Sequence, residues 1–191
     1  MAAIRTVAVI GAGMLGGNIA ELAALGGYRT ILEDILPASL RRAQSSIRSN
    51  LEQAIRRGAL SEPAADTALA RMEFASTVEG AAREADLVIE AVPDEMESKI
   101  EIFTLLDKIC KPQTILACNT SYLSVTEIVS VTYRPAKIVG IRFSTSNTKI
   151  DGIRLVRALE TDEETMVACM EFGARLGLDV TLIEEAESAS A

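Results

Sequence analysis

A chain of 191 residues is long enough for one ordinary domain with a sizeable core and too short for two full ones. Its composition, 49% hydrophobic and 24% charged with no tryptophan, is that of a folded globular protein, and the net charge of −8 excludes a broadly basic surface for nucleic acid. There is no histidine and no CxxC spacing among Cys110, Cys118 and Cys169, so no metal site is expected. No apolar run is long enough to span a bilayer, and the first residues lead directly into a strand pattern. Neither a membrane segment nor a secretory signal is expected, and the reading is a cytoplasmic protein with reduced, partly buried thiols.

Residues 6–10, Thr-Val-Ala-Val-Ile, form an uninterrupted apolar run that stops at Gly11 and suits a strand covered on both faces. An alanine- and leucine-rich helix over 16–25 ends at Gly26-Gly27, and a second strand follows at 30–33. Leu40, Ala43, Ile47, Leu51 and Ile55 recur at helical spacing, which predicts a long helix over 39–57 closed by Gly58. Ser61 caps a short helix to about residue 71. The next assigned element is a buried strand at 86–92, broken by Pro93. Then come a helix over 97–110, a strand at 114–118, a helix over 124–131 and strands at 138–143 and 153–159. Thr161 is expected to cap a last helix over 161–176 with acidic residues in its first turn, before a strand at 180–183. Residues 185–191 form a polar tail expected to be disordered, leaving 1–184 as one domain. Strand–helix alternation without a repeat means α/β with a mostly parallel sheet.

Between the first strand and first helix lies Gly11-Ala12-Gly13-Met14-Leu15-Gly16, a GxGxxG in the strand–turn–helix context that gives the motif its meaning. Gly11 permits the tight turn, Gly13 lets backbone approach a pyrophosphate at the helix N-terminus, and Gly16 allows the helix to pack on the sheet. Asp34 falls about twenty residues further on, where a carboxylate accepts from the adenosine ribose hydroxyls. It would repel a 2′-phosphate, so the expected cofactor is NAD. The expected architecture is a doubly wound Rossmann-type sheet in a single domain.

The runs Val7-Ala8-Val9-Ile10-Gly11-Ala12-Gly13, Asp86-Leu87-Val88-Ile89-Glu90-Ala91-Val92-Pro93 and Cys118-Asn119-Thr120-Ser121, with Arg134-Pro135 and Val139-Gly140, are similar to the NAD-binding domain of the 3-hydroxyacyl-CoA dehydrogenases. The resemblance runs from about residue 4 to residue 183. It implies that Asp34 holds the adenosine ribose and that Glu90, Ala91 and Val92 line the nicotinamide side with Lys99 close by. It also implies that Asn119 sits at a strand end and that Ser121 touches substrate and nicotinamide. Asn50 and Arg57 stand where the family has residues near CoA. Arg56 and Arg57 are either phosphate contacts or part of a solvated helix face. The implied partner is a small acyl thioester, on CoA or an acyl carrier protein, and the implied assembly is a homodimer.

The family's catalytic histidine and the glutamate that orients it are absent. Its Gly-Leu-His-Phe-Phe-Asn-Pro stretch, with the histidine as general base, here reads Gly140-Ile141-Arg142-Phe143-Ser144-Thr145-Ser146. Arg142 occupies the histidine position, Arg154 that of the glutamate orienting it, and Thr145 that of the asparagine. Arginine does not release its proton near neutral pH. Three readings follow: an oxidoreductase using another base, with Tyr122 and Lys149 the nearest candidates; an NAD-binding accessory or regulatory protein with an anion site at Arg142 and Arg154; or a thioester enzyme whose arginines polarise a carbonyl. The family's C-terminal helical domain has no counterpart in these residues.

Overall fold

The computed structural model describes residues 3–146 and 149–185. In chain order the elements are β1 (Thr6–Ile10), α1 (Met14–Leu25), β2 (Arg29–Glu33), α2 (Pro37–Arg56), α3 (Glu62–Ala70), β3 (Met72–Ala75), α4 (Val78–Ala82) and β4 (Leu87–Glu90). They continue with α5 (Met96–Ile109), β5 (Ile115–Asn119), α6 (Val125–Val129), β6 (Ile138–Ser146), β7 (Lys149–Arg157), α7 (Glu163–Arg175) and β8 (Asp179–Glu184). One eight-stranded sheet has the order β3-β2-β1-β4-β5-β6-β7-β8. Strands β3 to β6 run parallel, β6 and β7 pair antiparallel, and β8 lies parallel to β7. The order reverses between β1 and β4, which opens a crevice at their carboxyl ends.

Alternation along the strands divides the core in two. Val7, Val9, Leu87 and Ile89 face α1, α2 and α7 through Ile19, Ala23, Ile47, Leu51 and Phe172. Ala8, Ile10, Val88 and Cys118 face α4, α5 and α6 through Ala81, Phe103, Leu106, Val125 and Ile128. Both faces of the central strands are therefore dry, which explains why they read as continuous apolar runs. The three cysteines are buried free thiols. Burial pushes Cys110 up to about 11 and Cys169 to about 12, and burial beside Glu90 holds Cys118 well above its ordinary value. All three stay protonated near neutral pH. No helix among the described residues is long and apolar enough to cross a membrane.

The structure corrects the expected elements at several points. Residues 72–82, left unassigned, form edge strand β3 and the one-and-a-half-turn helix α4, capped by Thr77 accepting from the Gly80 amide. The last helix is capped by Asp162, which accepts from Thr165 N at 2.7 Å. Thr161 instead donates to the Ile138 carbonyl at 2.6 Å and accepts from Ala158 N at 3.0 Å, fastening the β7–α7 turn to β6. Strand β4 ends at Glu90, so Ala91 and Val92 belong to the loop beyond it. Strand β7 begins at Lys149 and ends at Arg157, leaving Leu159 exposed outside it. In the expected tail, Glu185 accepts from Ser124 Oγ and from the Thr126 amide at the start of α6; residues 186–191 lie outside the described residues.

Two glycines of the loop are required sterically. Gly11 has φ +105°, and a Cβ there would meet the Ala91 carbonyl oxygen at 2.7 Å. A Cβ on Gly16 would lie 1.9 Å from the Gly11 carbonyl oxygen. Gly13 has nothing within 4 Å of where its Cβ would be. We expect Gly16→Ala to lower stability by at least about 2 kcal/mol in urea denaturation. Gly13→Ala should melt like the parent protein and lose affinity for NADH in a fluorescence titration.

Candidate nicotinamide-dinucleotide site

The loop between β1 and α1 opens toward the crevice. Gly13 is the N-cap of α1, and no side chain caps it, so the first-turn amides of the helix are presented to an anion. Met14 at the first helical position is exposed, Leu15 is half-buried against the core, and Gly16 and Ala12 are buried. Asp34 follows β2 directly. Its Oδ2 accepts from Ala12 N at 2.9 Å and its Oδ1 from Leu36 N at 2.8 Å, which ties the end of β2 to the glycine loop. Open space before an uncapped helix, flanked by this carboxylate, fits the pyrophosphate and ribose of a dinucleotide.

Behind Asp34, the buried Glu33 carboxyl is pushed up to about 7 by burial, with the Asp34 charge adding to the shift. In the unfolded chain the same group titrates near its ordinary 4.5. Its protonated form suits the fold, so the contribution is complete below about 4.5 and is lost as pH rises through about 7. Glu33→Gln should therefore leave stability nearly unchanged at the acid end of this window and raise it by on the order of 1–3 kcal/mol at pH 8. Urea denaturation at the two pH values checks this.

The carboxyl ends of β4 and β5 are joined by a buried cation. Lys99, fully buried on α5, donates through Nζ to Glu90 Oε1 at 2.9 Å, Glu90 Oε2 at 2.7 Å and the Asn119 carbonyl at 2.6 Å. Glu90 Oε1 also accepts from Val92 N at 2.8 Å, which sets the loop that covers Gly11. Burial pushes the Glu90 carboxyl up, and the Lys99 charge and hydrogen bonds oppose it. Removing one partner of such a pair costs about 3–5 kcal/mol, whereas replacing both by apolar groups of similar volume is far milder. We expect Lys99→Met alone to show that loss in urea denaturation, and Lys99→Met with Glu90→Leu to recover most of it.

Asp94, which sequence reasoning missed, is the other centre of the site. Its Oδ2 accepts from Ser121 N at 2.9 Å, its carbonyl accepts from Tyr122 Oη at 2.7 Å, and its Oδ1 lies 3.6 Å from Lys99 Nζ. Oδ1 is the one buried side-chain oxygen or nitrogen among the described residues without a hydrogen-bond partner. Its position directly after Pro93, in the loop that follows β4, was the available signal. Arg142 donates through Nε to the Thr120 carbonyl at 3.0 Å and faces Arg154 directly across β6 and β7. The structure thus gathers Glu90, Asp94, Lys99, Asn119, Ser121 and Arg142 around residues 119–122, with Arg154 one strand further out.

The other two proposed bases fare differently. Tyr122 already donates its hydroxyl to Asp94, and Lys149 lies at the hairpin tip, away from this cluster. Lys149 instead lines a cavity of about 430 Å³ between α1 and α2 with Asn18, Glu21, Asn50 and Arg57; Arg56 does not line it. Asn50 donates to Glu21 Oε2 there at 2.8 Å, and burial pushes the Glu21 carboxyl up against the lowering effects of Asn50 and Lys149.

A doubly wound sheet with an uncapped glycine-loop helix and an acidic residue after β2 defines a dinucleotide-binding Rossmann domain. The family model for the 3-hydroxyacyl-CoA dehydrogenase NAD-binding domain matches residues 6–186, and the chain belongs to that family, whose cofactor is NAD. It is 35% identical over 184 residues to a 3-hydroxybutyryl-CoA dehydrogenase of Bradyrhizobium diazoefficiens, covering 96% of this chain and 62% of the relative. It is 34% identical over 174 residues to a probable 3-hydroxybutyryl-CoA dehydrogenase of Bacillus subtilis, covering 91% and 60%. The crystal structure of (S)-3-hydroxybutyryl-CoA dehydrogenase from Ralstonia eutropha superposes with a TM-score of 0.91 at 29% identity, covering 96% of this chain and 64% of that one. The chain therefore spans less than two thirds of the length of these relatives.

Proposed function

We propose that the chain is the NAD(H)-binding part of an oxidoreductase acting on a 3-hydroxyacyl or related short acyl thioester, carried by CoA or an acyl carrier protein. The observation that carries this reading is the joint between the glycine loop and Asp34, which faces the same crevice as residues 119–122. NAD⁺ supplies a hydride acceptor when bound. The first-turn amides of α1 and Asp34 would hold its pyrophosphate and ribose, Glu90 and Lys99 keep the nicotinamide-side loop in place, and Ser121 and Asn119 would serve the substrate. The relatives named above act on 3-hydroxybutyryl-CoA by their names, and family membership supports the same substrate class here.

Arg142 does not serve as the proton acceptor, so any dehydrogenase turnover runs without the family's histidine. General-base catalysis contributes about 10²–10⁴-fold, and activity on 3-hydroxybutyryl-CoA is expected to be lower by that order. The site residues Gly11, Gly13, Met14, Leu15, Gly16, Asp34, Ala91 and Val92 serve the cofactor in this reading. We infer from the resemblance alone that the protein acts in the cytoplasm and pairs with a second copy of itself.

The test is calorimetric titration with NAD⁺, NADH and NADPH, followed by turnover assays with 3-hydroxybutyryl-CoA. We expect binding selective for NAD(H), weakened at least tenfold by Asp34→Ala. Absence of NAD(H) binding, or a preference for NADPH, overturns the reading.

A further inference from the structure

The sheet carries four arginines on its strands: Arg29 on β2, Arg142 on β6, and Arg154 and Arg157 on β7. Two of them meet a carboxylate on the adjacent strand. Arg29 donates to both oxygens of Glu73 on β3, at 2.7 and 3.0 Å, and Arg157 stands opposite Glu184 of β8, with Nε 3.6 Å from its Oε1. Arg142 and Arg154 do the reverse, since each is the other's direct partner across the antiparallel pair. On its other side Arg154 faces Thr181. Side chains directly opposite on one face of such a pair have Cβ atoms about 5 Å apart, and like charges there are destabilising. In a protein of net charge −8, with acidic residues to spare, these two guanidinium groups have no carboxylate partner among the described residues.

Their position on the sheet is specific. On the same face, the neighbouring pair Gly140–Val156 is covered by α6, with Val125 so close that a Cβ on Gly140 would meet it at 2.7 Å. The next pair in the other direction is Ser144–Gly152, where Gly152 is buried and a Cβ on it would lie 3.3 Å from the Asp179 carbonyl oxygen of β8. The arginines thus stand between a pair covered by α6 and a pair of small residues early in β7. Arg142 is half-buried and held by its Nε bond to the Thr120 carbonyl, the residue before Ser121. That bond leaves its two terminal nitrogens without a hydrogen-bond acceptor among the described residues. Arg154 is exposed and makes no hydrogen bond or ion pair there.

We infer that Arg142 and Arg154 form a clamp for a carboxylate group of the ligand, beside Ser121. A planar carboxylate accepts in parallel from guanidinium N–H groups, and it removes the repulsion between the two cations. The inference rests on the reading of this crevice as the substrate site and narrows the substrate class. The favoured ligand carries a free carboxylate, where a neutral acyl chain would leave both cations unneutralised.

The experiment is calorimetric titration of the protein, with and without NADH, using succinate as the probe, its neutral analogue succinamide, and sulfate at equal ionic strength. We expect succinate to bind and succinamide not to. Arg154→Gln and Arg142→Gln should each weaken succinate at least tenfold, and Arg154→Lys should recover only part of the loss. Thermal melts confirm that the variants are folded; Arg154, exposed and without a side-chain hydrogen bond or ion pair among the described residues, is the variant that keeps the test decisive if Arg142→Gln unfolds. Equal binding of succinate and succinamide overturns the inference, as does sulfate competing as well as succinate, or folded variants binding succinate like the parent. If the variants change the sedimentation behaviour while succinate has no effect, the arginines serve a contact with another chain and the clamp is wrong. Failure of NADH to bind while succinate still binds in an arginine-dependent way would remove the proposed function and leave the clamp standing.

Discussion

The buried ammonium of Lys99 is the interaction on which the site depends. Taking a cation fully out of water is costly unless its hydrogen-bonding capacity is met, and here three acceptors meet it: both oxygens of Glu90 and the Asn119 carbonyl. Those acceptors sit at the ends of β4 and β5, so the lysine fixes two strand ends relative to each other. Glu90 then holds Val92 N, and the Ala91 carbonyl beside it is the atom that forces position 11 to be glycine. The floor of the crevice and the phosphate-facing loop are thereby parts of one construction.

A second consequence concerns where charge resides around residues 119–122. The carboxylates Glu90 and Asp94 lie on one side of this segment, with Lys99 between them, and the two arginines lie on the other. Asp94 Oδ1 is buried 3.6 Å from Lys99 Nζ without a hydrogen bond, and the two guanidinium groups have no carboxylate partner among the described residues. The chemistry differs from that of a site built on a histidine and a glutamate, although the backbone that carries it is the same to a TM-score of 0.91. Arginines stand at two registered strand positions of a sheet that keeps the family's fold.

The sequence made most of the fold legible, because buried parallel strands leave unbroken apolar runs and α2 repeats its buried Ala43, Ile47 and Leu51 at helical spacing. The elements it hid are short: β3 has four residues and none fully buried, and α4 has five, too few for a period. Thr161 and Asp162 are adjacent cap-forming residues, and only the bond from Thr161 to Ile138, 23 positions away, decides between them. The same limit applies to the site. The glycine loop and Asp34 are read from local spacing, whereas Asp94 matters through Ser121, 27 positions on. The facing of Arg142 and Arg154 came from aligning a family motif, and their lack of carboxylate partners required the register of three strands.

The clash that a Cβ on Gly16 would make with the Gly11 carbonyl means that the turn and the first turn of the helix are in van der Waals contact at that point. With Asp34 gripping the Ala12 amide from the other side, the turn has little room to adopt a second shape. The conformational entropy of forming the phosphate cradle is lost once, when the chain folds, and is not lost again at each encounter with a dinucleotide.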